Sequence, residues 1–225
     1  AKPECSWSWW RHEGVSLITN LWYFLAGVCL WPALEYGLHS ALGHLFLRGK
    51  TAFSREHLRH HAEKDYFAPT PKKIAAALPV FFVFLCFFSV ISGLLNAIAL
   101  TSGFALMYTT YEVIHRRAHT HGPTGPYSRW VRRNHFSHHF QNPRKNHGVT
   151  TPVFDFVFGT HVPPGKVIVP ERYVMGWLRD PRTGEVWPHL ADDYAIKVAS
   201  RPDLARQQDL QGDIAAAYAG EAPAS

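Results

Sequence analysis

The chain has 225 residues, enough for a domain with a sizeable core, and 14% of them are aromatic. Its formal charge of +6 comes from basic residues crowded beside apolar runs, as in membrane loops, which argues against a nucleic-acid-binding surface. Three cysteines without a C-x2-C spacing exclude a disulfide framework and a thiolate zinc finger.

The first long uncharged run extends from Gly14 to Leu34 and resumes, after Glu35, from Tyr36 to Leu47. No basic segment leads into it as in a signal peptide, so it reads as a retained span. With Pro32 inside, it is either a short hairpin of two helices or one long kinked helix. A basic segment follows, Arg48 to Lys73, which the positive-inside tendency places in the cytoplasm. The run from Ile74 to Tyr111 contains no Asp, Glu, Lys or Arg. It is nearly twice the roughly 20 residues a helix needs to cross a bilayer. It therefore predicts a helical hairpin with its turn near Gly93–Asn96 or Thr101–Gly103, both ends emerging on one face. Cys29 and Cys86 lie in these runs and read as buried small hydrophobes. Beyond Arg116 the chain is polar and broken by Pro and Gly. The expected layout is a single all-α, membrane-embedded domain, with apolar spans at 15–47 and 74–111 and a cytoplasmic, histidine-rich helical cap at 48–73 and 112–178. A polar tail follows at 179–225, with one helix near Leu204 to Tyr218.

Against this layout the histidines are patterned. His39 and His44 form H-x4-H, and His57, His60 and His61 form H-x2-H-H. After the second apolar run, His115 and His119 form H-x3-H, and His135, His138 and His139 repeat H-x2-H-H. Residues three and four apart share a helix face, so each triplet and the second pair present their rings together. The offset of five in His39/His44, about 140° around a regular helix, needs a distorted turn. Ten imidazoles exceed what one ion of four to six ligands can use, so two ions are implied. Such ions leave uncompensated positive charge, and nearby carboxylates are expected to bond the outer ring nitrogens. Glu35, Glu112 and Asp155 are the candidates, and His147 lines the site. His12, His121, His161 and His189 read as ordinary surface or loop residues.

The sequences H-S-A-L-G-H (39–44), H-L-R-H-H (57–61), H-R-R-A-H (115–119) and H-F-S-H-H (135–139) resemble those of the fatty acid hydroxylase/sterol desaturase superfamily. So does N-H-G-V-T-T-P-V-F-D-F-V-F-G-T (146–160), with Phe154 where that family usually has Trp. The resemblance runs from about Glu35 to Thr160. It implies a four-helix transmembrane bundle, two hairpins, with a cytoplasmic cap over a di-iron centre whose ligands are the ten histidines, a centre that also takes up zinc. It further implies O2-dependent hydroxylation or desaturation of an unactivated C–H bond in a lipid, whether fatty acyl chain, sterol, sphingolipid or carotenoid. The segment Glu63 to Lys73 departs from the pattern that follows the first triplet in fatty acid 2-hydroxylases, which weighs against that subfamily.

No G-x-G-x-x-G fingerprint, iron–sulfur cysteine set or H-P-G-G haem segment is present. Electrons are therefore expected from a separate ferredoxin, rubredoxin or cytochrome b5 with its reductase, docked on the basic face. A divalent-metal transporter and a zinc-dependent lipid hydrolase are the alternatives. The transporter reading fits less well, because transporters place ligands near the bilayer midplane.

Overall fold

The protein's computed structural model describes residues 7–63 and 66–197, with side chains from Ser16 onward. The chain forms α1 (Trp7–Gly37), a π-helix (Leu38–Leu45), α2 (Ala52–Ala62), α3 (Thr70–Ser92), α4 (Leu94–Thr120), α5 (Pro126–Phe140) and the short α6 (Val153–Val157). Two strands, β1 (Val167–Pro170) and β2 (Tyr194–Lys197), pair in parallel, with Val167 opposite Tyr194. The expectation of an all-α chain is corrected in this detail: β-branched Val167, Ile168 and Val169 give the segment after α6 a strand. The chain divides into two compact units. One holds the chain up to Ala33 with Pro69–Thr110; the other holds Leu34–Ala68 and the chain from Tyr111 onward.

In the first unit, the first apolar run is one helix that passes through Pro32 without ending. The hairpin alternative for this run, and with it the arrangement of two hairpins, does not hold. Pro32 is accommodated because a helix loses one backbone bond at proline but need not stop there. The second run is two helices, broken at Gly93. Its φ of +83° is open to glycine at little cost, and its N–H still bonds to Ser89 O at 3.1 Å. Phe104 joins the three helices. It meets Trp31 edge-on at 5.5 Å and Phe81 at 5.8 Å, and stacks on Phe84 at 4.9 Å. Gly27 and Gly103 allow α1 and α4 to touch backbone to backbone. A Cβ on Gly27 would lie 2.0 Å from Leu100 O, and one on Gly103 2.0 Å from Phe24 O. Close approach at small residues is how helices associate in lipid, where apolar burial gives little drive.

Among the described residues, Ser16–Leu45 and Thr70–Ser92 are long and apolar enough to cross a membrane. α3 has no buried residue, and Val90 on it is 89% exposed. Such outward apolar faces suit lipid, and they explain a further correction: Cys29 and Cys86 lie exposed on these helices. The chain is a membrane protein.

The second unit has its apolar core where α5 meets the strands. Phe136, Val167, Val169, Val174, Met175, Leu178, Leu190 and Tyr194 are buried there. Asp193, itself 4% exposed, pairs with Arg129 and, at 3.3 Å, with Arg133 of α5. Leu190 and Tyr194 therefore belong to the core, and the polar tail does not begin at residue 179 as expected. The sequence reading missed this because the segment is polar on average and its few apolar residues are widely spaced. The helix expected near Leu204 to Tyr218 lies outside the described residues.

Candidate metal centre

The second unit brings the ten patterned histidines into two groups of five. One holds His39, His44, His57, His61 and His138; the other holds His60, His115, His119, His135 and His139. Within each group, one ring nitrogen per residue lies within 4.8 Å of all the others. The arrangement follows a rule that the spacing did not reveal. Each group takes one sequence pair whole, the outer two histidines of the neighbouring triplet, and the middle histidine of the other triplet. His57 and His61, one turn apart, point to one group, while His60 between them points to the other. His135 and His139 behave likewise around His138. Where the two groups meet, His61 and His139 stack at 3.9 Å with planes 8° apart.

The offset of five in the first pair is met by the π-helix. An i→i+5 bonding pattern sets residues five apart on nearly one face, and Phe46 N bonds to Ala41 O at 2.9 Å in this register. His39 and His44 thus sit with ring centres 5.4 Å apart. α2 is capped by Thr51, whose hydroxyl accepts from Ser54 N at 3.0 Å. The end of α4 is held by groups that the sequence did not single out. Buried Arg132 donates to Arg117 O, His121 O and Ser128 O, each at 2.8 Å, and Trp177 Nε1 donates to His119 O at 3.1 Å. The donors to His119 O and His121 O satisfy carbonyls that the C-terminus of α4 leaves open; Arg117 O also accepts from His121 N at 3.0 Å, and Ser128 O belongs to the first turn of α5. These bonds fix the turn that carries His115 and His119.

The rings fit metal by an independent criterion. His39, His60 and His138 each donate Nδ1–H to a backbone carbonyl: His147 O at 2.5 Å, Tyr66 O at 2.8 Å and Lys145 O at 2.8 Å. That bond selects the tautomer whose Nε2 lone pair is available. The Nε2 atoms of His39, His61 and His139 are buried without a hydrogen-bond partner among the described residues. Other Nε2 atoms crowd together, His44 with His57 at 2.8 Å, His44 with His138 at 3.0 Å, and His119 with His135 at 2.9 Å. Burial, and then the neighbouring histidines, hold His57, His61, His135, His138 and His139 well below the usual imidazole value. Neutral imidazoles with converging lone pairs are what a transition metal needs. Metal–nitrogen bonds of about 2.1 Å would require any two ligand atoms to lie within ~4.2 Å of each other, and each group already gathers its nitrogens within 4.8 Å.

The outer ring partners differ from the expectation: for these three rings they are carbonyls, and the carboxylates act one step further out. Asp155, fully buried, accepts from His147 N and Gly148 N at 2.8 Å and from Thr160 Oγ1 at 2.7 Å. Glu35, 3% exposed, accepts from Val149 N at 2.5 Å and from Thr150 N and Oγ1 at 3.1 and 2.6 Å. Together they clamp the 147–150 loop, whose His147 carbonyl receives the His39 ring. Backbone amides draw the carboxylates because several N–H donors solvate a buried charge better than one imidazole does. Gly148 is required there, since a Cβ would lie 2.1 Å from Thr151 O. The His147 ring is buried beside the first group, 5.2 Å from His138 and 5.4 Å from His39. Glu112 is half-buried on α4, one turn before His115. Of the remaining histidines, His121 and His189 are exposed, and His161 packs on Phe156. His12 lies outside the described side chains. A small cleft beside the stacked His61/His139 pair is lined by His60, His61, His119, His139, Phe140, Tyr173 and Met175.

The fatty acid hydroxylase family model matches residues 24–160, which contain all ten histidines. This chain belongs to the fatty acid hydroxylase family. Among its relatives in the family, the ceramide very long chain fatty acid hydroxylase of Saccharomyces cerevisiae is 29% identical over 196 residues, covering 76% of this chain and 50% of the yeast protein. A dihydroceramide fatty acyl 2-hydroxylase of Arabidopsis thaliana is 32% identical over 155 residues, 65% of this chain and 63% of the plant protein. A solved structure of full-length Scs7p, in which only the hydroxylase domain is visible, aligns with a TM-score of 0.54 at 27% identity, covering 68% of this chain and 62% of that one. The chain thus spans between half and two thirds of the length of these family members. The departure at Glu63–Lys73 does not set the chain apart from proteins named as fatty acyl 2-hydroxylases.

Proposed function

We propose that this chain is an O2-dependent hydroxylase of lipid acyl chains that works with two iron ions. The observation that carries the reading is the division of ten imidazoles into two adjoining five-membered donor sets. The His39, His44, His57, His61 and His138 set would hold one ion, and the His60, His115, His119, His135 and His139 set the other. All-imidazole sets also suit zinc, so protein isolated without added iron is expected to carry some zinc. When bound, iron supplies the activation of O2 that an unactivated C–H bond requires, with electrons from a separate carrier.

The chain's own residues supply the rest. Carbonyls of His147, Tyr66 and Lys145 orient three rings, and the Asp155 and Glu35 clamps hold one of those carbonyls in place. Burial keeps the imidazoles neutral and water out. Phe140, Tyr173 and Met175 give the cleft an apolar wall suited to a hydrocarbon. Glu112 is read as a further outer partner on α4. The relatives named for ceramide, dihydroceramide and fatty acyl hydroxylation favour a fatty acyl or sphingolipid substrate over a sterol or carotenoid, and hydroxylation over desaturation. The basic segment 48–73 supports a multi-pass topology with the histidines on the cytoplasmic side. It also supports docking of a ferredoxin, rubredoxin or cytochrome b5 by charge.

Lipid mass spectrometry of cells expressing the wild type and His138→Ala/His139→Ala, which removes one donor from each set, tests the reading. A hydroxylated lipid that needs O2 and is absent from the variant is expected. Identical lipidomes with a competent electron donor would overturn the proposal. Metal flux into sealed vesicles would point instead to a transporter, and lipid cleavage without O2 or reductant to a zinc hydrolase.

A further inference from the structure

The segment from Arg144 to Lys166 is inside out for a surface facing water. In α6 and just beyond it, Val153 is 53%, Phe156 62%, Val157 65% and Phe158 61% exposed, whereas the acidic Asp155 is fully buried. This orientation is fixed. The Asp155 carboxylate accepts three hydrogen bonds, and its carbonyl accepts from Thr160 N at 2.8 Å and His161 N at 3.0 Å. A contiguous apolar patch held outward marks an interaction surface.

We infer that α6 and its flank form an interfacial anchor, seating this part of the protein in the headgroup–acyl boundary of an anionic bilayer. Two observations select lipid as the occupant. First, the patch is rooted on the end of an apolar span within the same unit: Phe158 stacks on the buried Tyr36 at 4.9 Å, and Phe154 faces it at 6.4 Å. Second, the charge around it has one sign. Between Arg144 and Lys166 the one acidic residue is the buried Asp155, while Arg144 and Lys166 are exposed and Lys145 Nζ caps Gly159 O at 3.0 Å. Outward aromatic and branched side chains with a cationic rim are what an interfacial element presents to anionic lipid.

The inference rests on the chain's being a membrane protein, and its test separates the two. Phe156→Cys and Val157→Cys, made with Cys5, Cys29 and Cys86 changed to Ala, are nitroxide-labelled in vesicles of phosphatidylcholine and phosphatidylglycerol. Collision with O2, which concentrates in lipid, is compared with collision with a water-soluble nickel chelate. Labels at 156 and 157 are expected to favour O2 several-fold, like a label from Val90→Cys on α3 and unlike one from Asn142→Cys on the polar surface. Chelate access at 156 and 157 with O2 preference at 90 overturns the anchor alone. Chelate access at 90 as well overturns the membrane reading. Immobilised labels closed to both, with dipolar coupling between them, would mean that a second copy covers the patch, and would also overturn it. Replacing phosphatidylglycerol with phosphatidylcholine is expected to reduce the O2 preference at 156 and 157; an unchanged preference would overturn the role of the cationic rim.

Discussion

At the scale of single residues, the centre depends on which histidine faces which group. His60 sits among residues of the first triplet but belongs with His115 and His119. His60→Ala is therefore expected to lower the metal held by the second group while leaving the first near its normal occupancy, and His57→Ala to do the reverse. Metal content per chain, with a spectroscopic probe such as cobalt substitution, would separate the two; equal loss from both would contradict the division. Asp155→Asn preserves shape but turns an amide N–H2 toward a backbone donor. Because hydrogen bonds to charged groups contribute about 1.5–3 kcal/mol each, at least ~2 kcal/mol of stability is expected to go, along with weaker metal retention by the His39 group. Unchanged metal content and thermal stability would show that the loop does not depend on this carboxylate. The types and spacings of the ten histidines were legible in the sequence, and they carried the expectation of two ions. The partners of Glu35 were not legible, because a buried carboxylate 114 residues from Val149 chooses its donors by tertiary proximity; those of Asp155, five to eight residues away, depend on the irregular fold of the loops around it.

At the scale of elements, the fold relies on two local departures from regular helix. The π-helix converts an unfavourable offset into a shared face, and Gly93 ends α3 within one residue. H-x4-H already signalled a distorted turn, since five residues do not close on themselves at 3.6 per turn. The hairpin in the second apolar run was legible from length alone, and one of its two candidate turns is the one observed. The state of the first run was not, because Pro32 is compatible with either a kink or a break. The contact of α1 with α4 makes a sharper demand. Gly103→Ala would place a methyl group 2.0 Å from Phe24 O, against backbone that cannot rotate away. A loss of about 1–3 kcal/mol or more is expected, read as a lower inactivation temperature in detergent. An alanine that left this temperature unchanged would mean the helices do not meet at this glycine.

At the scale of the whole molecule, the buried rings are expected to couple stability, and any metal they hold, to pH. His57, His61, His135, His138 and His139 are held neutral in the fold, whereas in the unfolded chain each takes up a proton below about pH 6.5. The unfolded state therefore binds more protons as pH falls, and stability falls with it. Each ring contributes up to ~1.4 kcal/mol per pH unit below that value. Apo protein is expected to lose thermal stability, and loaded protein to release metal, as pH drops from about 7 to 5. Titration of unfolding temperature and bound metal would check this; flat profiles would mean that the rings are not buried neutral.

The sequence by itself determined the histidine pattern, the apolar helices and the family, because each is written in local spacing or composition. The tertiary structure decided how the triplets are shared, which elements hold the ends of α4 and the 147–150 loop, and that residues 190–194 complete a core. Those features depend on contacts between residues far apart in the chain. A triplet on one helix face presents its middle ring about 60° from that of one neighbour and about 100° from that of the other. Only the tertiary placement of α2, whose His60 ring meets those of His115 and His119 on α4 while His61 meets His138 on α5, turns that small rotation into membership of one histidine group or the other.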